Sequence, residues 1–171
     1  MSDMRKIGIV GAGVMGQGIA QVAATGGLEA VIYDARAEAV AEGCAKIAQR
    51  LDRLQEKGRL DAEANAVAQA RLRGAADLSE FKDCDVVVEA IVENLDAKRA
   101  VFEELETHLG PEAILATNTS SLPVASIARG RAHPERIAGL HFFNPVPLMK
   151  LVEVIAGPAT TPQTLERLSA L

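Results

Sequence analysis

A glycine-rich turn set between an apolar run and an amphipathic one constrains this chain more than any other feature. Gly11-Ala12-Gly13-Val14-Met15-Gly16 follows Ile7-Gly8-Ile9-Val10, a strand pattern. It opens a stretch in which Met15, Ile19 and Val22 are spaced by four and three, one face of a helix that should end near Gly26-Gly27. A strand-turn-helix of this kind uses Gly11 for the tight turn, Gly13 to let a pyrophosphate approach the backbone, and Gly16 to let the helix pack close on the strand. The free N–H groups at the helix start, Val14 and Met15 among them, then face the anion. Asp34 closes a second strand pattern, 28–33, and lies 18 residues past Gly16, where a carboxylate can hydrogen-bond an adenosine ribose. Such a carboxylate opposes a 2′-phosphate and favours NAD over NADP, whereas the nearby Arg36 can neutralise that phosphate. A helix-capping aspartate is the structural alternative for Asp34.

The rest of the chain keeps alternating apolar runs with amphipathic stretches, which predicts an α/β fold of the Rossmann type, a doubly wound and mostly parallel sheet. Further strands are expected at 72–75, 85–90 and 113–117. Val86-Val87-Val88 has no polar alternation, as in a strand covered on both faces. Val40, Cys44, Ile47, Leu51 and Leu54 mark a long helix stopped by Gly58, and Asp61 can cap a second one through Ala70. Strands two and three are therefore joined by a helical hairpin, an insertion beyond a minimal crossover. Val101, Phe102, Leu105 and Leu109 cover the helix before Gly110-Pro111. Strand patterns at 136–143 and 151–156 are separated by only seven residues, too few for a parallel crossover, so they should form an antiparallel hairpin. Thr161 and Pro162 then look like the cap and first position of a final helix.

Composition removes several classes of function. The 171 residues are 49% hydrophobic and 24% charged with a net charge of −5, which fits one globular domain and argues against a nucleic-acid surface. No apolar run reaches membrane-spanning length and no leader pattern opens the chain, so a cytoplasmic protein away from membranes is expected. Cys44 and Cys84 form no CxxC, and His108, His133 and His141 lack metal-binding spacing, so no metal is expected. Cys44 sits on an apolar helical stripe as core packing. His108 and His133 look like surface residues.

Ligands in open α/β sheets gather at the carboxyl ends of strands. Two such ends are polar here, Glu89-Ala90-Ile91-Val92-Glu93-Asn94 and Asn118-Thr119-Ser120-Ser121, although loops are polar in any case. The hairpin says more. His141 and Glu153 are equidistant from Pro147, so a simple antiparallel hairpin makes them face each other. An imidazole beside a carboxylate is a general base held in one orientation, or else a structural pair in a core.

Four segments together, GAGVMGQGIA, VVEAIVENL, TNTSSLPV and GLHFFNPVPLMKLVEVI, resemble the NAD-binding domain of the L-3-hydroxyacyl-CoA dehydrogenases, over nearly the whole chain. The HFFNPVP segment followed by LVEV is far more specific than the glycine loop. The resemblance implies reversible oxidation of an L-3-hydroxyacyl-CoA, 3-hydroxybutyryl-CoA among the short ones, to a 3-ketoacyl-CoA with NAD. It implies that His141 is the catalytic base, that Glu153 orients it, and that Ser120 hydrogen-bonds the reacting oxygen near the nicotinamide. Asn144 falls at the junction of cofactor and substrate. Glu93 and Lys98 line the nicotinamide ribose, with the backbone near Ala90 closing that side. Lys57 meets the CoA phosphates, although Arg50 stands where the family often has a small polar residue.

Members of the family continue into a helical C-terminal domain that supplies homodimer contacts and an asparagine near the thioester. This sequence ends at Leu171 before it, as expected of a truncated polypeptide, a fragment of a longer enzyme or a stand-alone module. Two other functions stay open at this point. One is a β-hydroxyacid dehydrogenase for small free acids, which would use a lysine instead of the His–Glu pair. The other is an NAD-binding module without activity.

Overall fold

The computed structural model describes residues 4–171. Seven strands form one sheet: β1 (Lys6–Val10), β2 (Glu29–Tyr33), β3 (Leu72–Gly74), β4 (Val86–Glu89), β5 (Ile114–Thr117), β6 (Ile137–Phe142) and β7 (Val152–Ala156). Their order is β3-β2-β1-β4-β5-β6-β7, parallel from β3 to β6, with β7 antiparallel on β6. The order reverses between β1 and β4, which opens a crevice above their carboxyl ends. The helices are α1 (Val14–Gly26), α2 (Ala37–Glu56), α3 (Ala62–Ala70), α4 (Leu95–His108), α5 (Val124–Ala128) and α6 (Pro162–Ser169).

The uninterrupted apolar strands are explained by two cores, one on each face of the sheet. Val86, Val88, Ile7, Ile9, Ile114 and Ala116 pack with Ile19 of α1, Ile47 and Leu51 of α2 and Leu168 of α6. Val87, Val31 and Leu115 turn the other way, against Phe81, Ile127 of α5, and Phe102 and Leu105 of α4.

Caps fall where the sequence places them. Gly27 ends α1 with φ of 108°, Asp61 accepts from the Ala64 N–H at the start of α3, and Thr161 accepts from the Thr164 N–H at the start of α6. The chain between strands carries features that hydrophobic periodicity does not announce. They are the 3-10 turns at Leu78–Phe81 and Pro134–Arg136, the five-residue α5, and the start of α4, where the Asn94 side chain accepts from the Ala97 N–H.

Candidate active site

The glycine loop leaves β1 in a conformation that only glycine adopts easily. Gly11 has φ of 110°, and a Cβ there would lie 2.5 Å from the Ala90 carbonyl oxygen. A Cβ on Gly16 would lie 1.8 Å from the Gly11 carbonyl oxygen, so α1 can approach the loop only with glycine at that position. Gly13 differs: a Cβ added there would meet nothing within 4 Å and would project into open space. Gly13 is also the N-cap of α1, and no side chain caps that helix. Bare backbone, free N–H groups and the helix dipole thus converge on a cradle that a side chain would fill, and these residues fit a dinucleotide pyrophosphate. Val14 is exposed at its lip.

Asp34 stands at the end of β2 as expected, but its carboxylate also supports the loop. Oδ2 accepts from the Ala12 N–H at 2.9 Å and Oδ1 from the Arg36 N–H at 3.0 Å. The ribose-binding and structural readings of Asp34 are therefore compatible, since each carboxylate oxygen accepts more than one hydrogen bond. Beside it opens a cavity of about 510 Å³ between Tyr33, Val40, Cys44 and Ala75. Cys44 packs against the core as well as lining this cavity, and burial pushes its thiol pKa up.

Across the switch point, a second cavity of about 340 Å³ gathers most of the remaining candidates. Met15, Ala90, Glu93, Lys98, Ser120, His141 and Asn144 all line it. The β6–β7 register pairs His141 directly with Glu153, and the His141 Nδ1 lies 2.9 Å from the Glu153 Oε2. A carboxylate only accepts, so Nδ1 carries the proton and Nε2 is left as the basic nitrogen. The imidazole is 17% exposed and leans on Phe143 with ring centroids 4.6 Å apart, whereas Glu153 is half exposed. Ser120 and Asn144 are exposed residues at the rim of the cavity.

Lys98 borders the same cavity, but its ammonium is committed elsewhere. It is 1% exposed, ion-paired at 2.6 Å to the fully buried Glu89 and at 3.3 Å to Glu93. Glu89 also accepts from the Ile91 N–H and the Thr117 hydroxyl. Lys98 thus borders the cavity with its charge paired to Glu89 and Glu93. Burial opposes ionisation of Glu93, yet the Thr119 hydroxyl, the Lys98 charge and the Ser121 hydroxyl together outweigh it and lower its carboxyl to about 2. Asn118, also lining the cavity, accepts from the Phe142 N–H at 2.8 Å and so ties the end of β5 to the strand carrying His141.

Glu89, Asn118 and Thr119 were visible in the sequence only as polar residues after apolar strands. Lys57 stands apart from the others. It is the exposed C-cap of α2, a 20-residue helix about 30 Å long at roughly 1.5 Å per residue, and so lies a full helix length from the Asp34 end. A further cavity, about 740 Å³, lies between α1, β6, β7 and α6, and among the described residues no titratable side chain lines it.

Residues 6–171 match the family described as 3-hydroxyacyl-CoA dehydrogenase, NAD binding domain. The chain belongs to that family. It is 46% identical over 159 residues to a probable 3-hydroxybutyryl-CoA dehydrogenase of Deinococcus radiodurans, covering 93% of this chain and 57% of that protein. To the 3-hydroxyadipyl-CoA dehydrogenase of Escherichia coli it is 41% identical, covering 100% of this chain and 36% of the relative. Among solved structures, the 3-hydroxybutyryl-CoA dehydrogenase of Escherichia coli superposes with a TM-score of 0.95 at 41% identity, over 97% of this chain and 35% of that one. The chain thus spans little more than half, or less, of the length of these relatives. Among the described residues, no helix is long and apolar enough to cross a membrane.

Proposed function

We propose that this chain is the cofactor-binding and base-bearing part of an NAD-dependent dehydrogenase that interconverts an L-3-hydroxyacyl-CoA and the 3-ketoacyl-CoA. The observation that carries the proposal is the His141–Glu153 pair, held in register at 2.9 Å on the same cavity as Ser120, Asn144 and the first turn of α1.

NAD, when bound, supplies the hydride acceptor. The backbone of Gly11, Gly13, Val14, Met15 and Gly16 would hold its pyrophosphate, Asp34 its adenosine ribose, and Glu93 with the backbone of Ala90 its nicotinamide ribose. Lys98 fixes Glu93 from behind. His141 takes the proton of the 3-hydroxyl through Nε2 as the C3–H bond breaks, and the Glu153 carboxylate stabilises the imidazolium that forms. Ser120 and Asn144 hydrogen-bond the reacting oxygen and hold it in line with that nitrogen. Lys57 extends the site towards the CoA phosphates along α2. A cytoplasmic homodimer closed by a helical neighbouring domain completes this reading.

The substrate class is tested by single turnover at stoichiometric enzyme, following the loss of NADH with acetoacetyl-CoA or with free acetoacetate. The thioester is expected to oxidise NADH and the free acid to leave it unchanged. The opposite preference would assign the chain to the dehydrogenases of small free acids.

A further inference from the structure

Arg50 carries a role that neither the family resemblance nor the two cavities assign. It lies on α2, and its guanidinium reaches across to two buried glutamines of α1, Gln17 at 7% and Gln21 at 4% exposure. Nη1 donates to the Gln21 Oε1 at 3.3 Å, and Nη2 donates to the Gln17 Oε1. The other end of the Gln17 amide, Nε2, donates to the Ala12 carbonyl oxygen at 2.8 Å.

We propose that Arg50 is a positioning residue for the cofactor-binding loop, acting through the amide of Gln17. The chemistry allows this amide one orientation only. A guanidinium has no acceptor and a peptide carbonyl has no donor, so the amide between them must turn its oxygen to Arg50 and its NH₂ to Ala12. Ala12 is the residue between Gly11 and Gly13, and its N–H is already held by Asp34 at 2.9 Å. Both backbone polar groups of the middle loop residue are thus fixed by distant side chains, one from the end of β2 and one braced from α2. Gly43, two turns before Arg50 on α2, packs on the same point, since a Cβ there would lie 3.4 Å from the Ala12 Cβ and 3.5 Å from Gln17.

The consequence concerns binding. Gly11 and Gly13 have the most backbone freedom to lose, and a loop already ordered before the ligand arrives loses less on binding. Removing the Arg50 donors leaves the buried Gln17 oxygen without its partner and frees the amide to turn away from Ala12. The effect should appear in the loop and in cofactor affinity, with the substrate side of the site untouched.

This inference rests on the NAD-binding reading, and the test keeps the two apart. NADH fluorescence titrations on Arg50→Met, Gln17→Leu and the double variant are combined with hydrogen exchange of the Ala12–Val14 amides in the cofactor-free protein. The absence of tryptophan makes the NADH signal clean. Each single variant should bind NADH about three- to tenfold more weakly, as expected for a partly lost pre-organisation, and the double variant should be no weaker than Gln17→Leu. The loop amides should exchange faster in all three, and Arg50→Lys, which keeps one donor, should recover part of both effects. If Arg50→Met does not fold, the wild-type and Arg50→Lys pair carries the same comparison.

Unchanged affinity and unchanged loop exchange in Arg50→Met would overturn the role of Arg50. So would effects that simply add in the double variant, or a lower melting temperature with full NADH affinity. A wild-type chain that fails to bind NADH would instead refute the NAD reading, and the loop exchange would still decide the part assigned to Arg50.

Discussion

Gly18 and Val146 touch so closely that a Cβ on Gly18 would lie 2.7 Å from the Val146 Cβ. The first belongs to the helix that opens at the cofactor loop and the second to the connection between the strands carrying His141 and Glu153. This contact docks the β6–β7 hairpin on α1. Gly18→Ala should therefore force the two apart. Alanine gains about 1 kcal/mol of helix propensity, but overpacking against a backbone-anchored Cβ costs typically about 1–3 kcal/mol, so a net loss of stability is expected. Turnover should fall with it while NADH affinity changes less. A variant as stable and as active as the parent would show that the hairpin is placed by other contacts.

The proposed role of Asp34 makes a prediction about cofactor choice. Asp34 lines the cavity beside Tyr33 and Cys44 and already orders the loop through the Ala12 N–H; with the adenosine ribose seated there as proposed, it should select NADH over NADPH. A charged hydrogen bond is worth about 1.5–3 kcal/mol, which corresponds to roughly ten- to more than hundredfold in affinity. Asp34→Ala should reduce that preference and also lower the melting temperature, because two backbone N–H groups lose their acceptor. Equal affinity of the parent chain for both cofactors would mean that Arg36 compensates the 2′-phosphate.

The acid response of the protein should carry the signature of Glu93. Its carboxyl titrates at about 2 in the folded chain against an ordinary value of 4.5. Between those values the unfolded chain binds the proton and the folded chain does not, so stability rises with pH across that window. The contribution is complete above about pH 4.5 and is lost as pH falls towards 2. Comparing unfolding of the parent and Glu93→Gln from neutral pH downward, the stability gap should be widest at neutral pH and should close in that interval. A constant gap would mean that the Thr119 and Lys98 contacts do not favour the charged form.

The parts of the fold and the site that could be read from the sequence are those set by local periodicity. The GxGxxG turn, the Asp61 and Thr161 caps and the His141–Glu153 pairing each depend on one element or one hairpin, whose geometry the spacing determines. The Glu89–Lys98 pair was not legible in this way. The two residues are nine apart across an irregular turn, and their meeting depends on α4 starting at Leu95 behind its Asn94 cap, which no apolar stripe marks. Arg50 and Gln17 are 33 residues apart and meet only because α1 and α2 pack side by side on one face of the sheet. The short α5 is below the length at which a helical period can be distinguished from a loop. Resemblance places Lys98 beside the ribose, whereas its burial and its ion pairs with Glu89 and Glu93 come from the packing of α4 on β4 and not from any local spacing.

The proposed role of His141 as the base is tested by single-turnover oxidation of bound NADH by acetoacetyl-CoA in His141→Gln, with NADH affinity and melting temperature measured on the same protein. Loss of a general base typically costs about 10²–10⁴-fold in rate, roughly 2.7–5.5 kcal/mol in the barrier. A loss of that size is expected with affinity and melting temperature close to the parent, and a smaller loss in Glu153→Gln, which keeps the imidazole but not its charged partner. A folded His141→Gln protein that turns over near the parent rate, or one whose stability and cofactor affinity fall together while turnover per folded molecule is kept, would contradict that role.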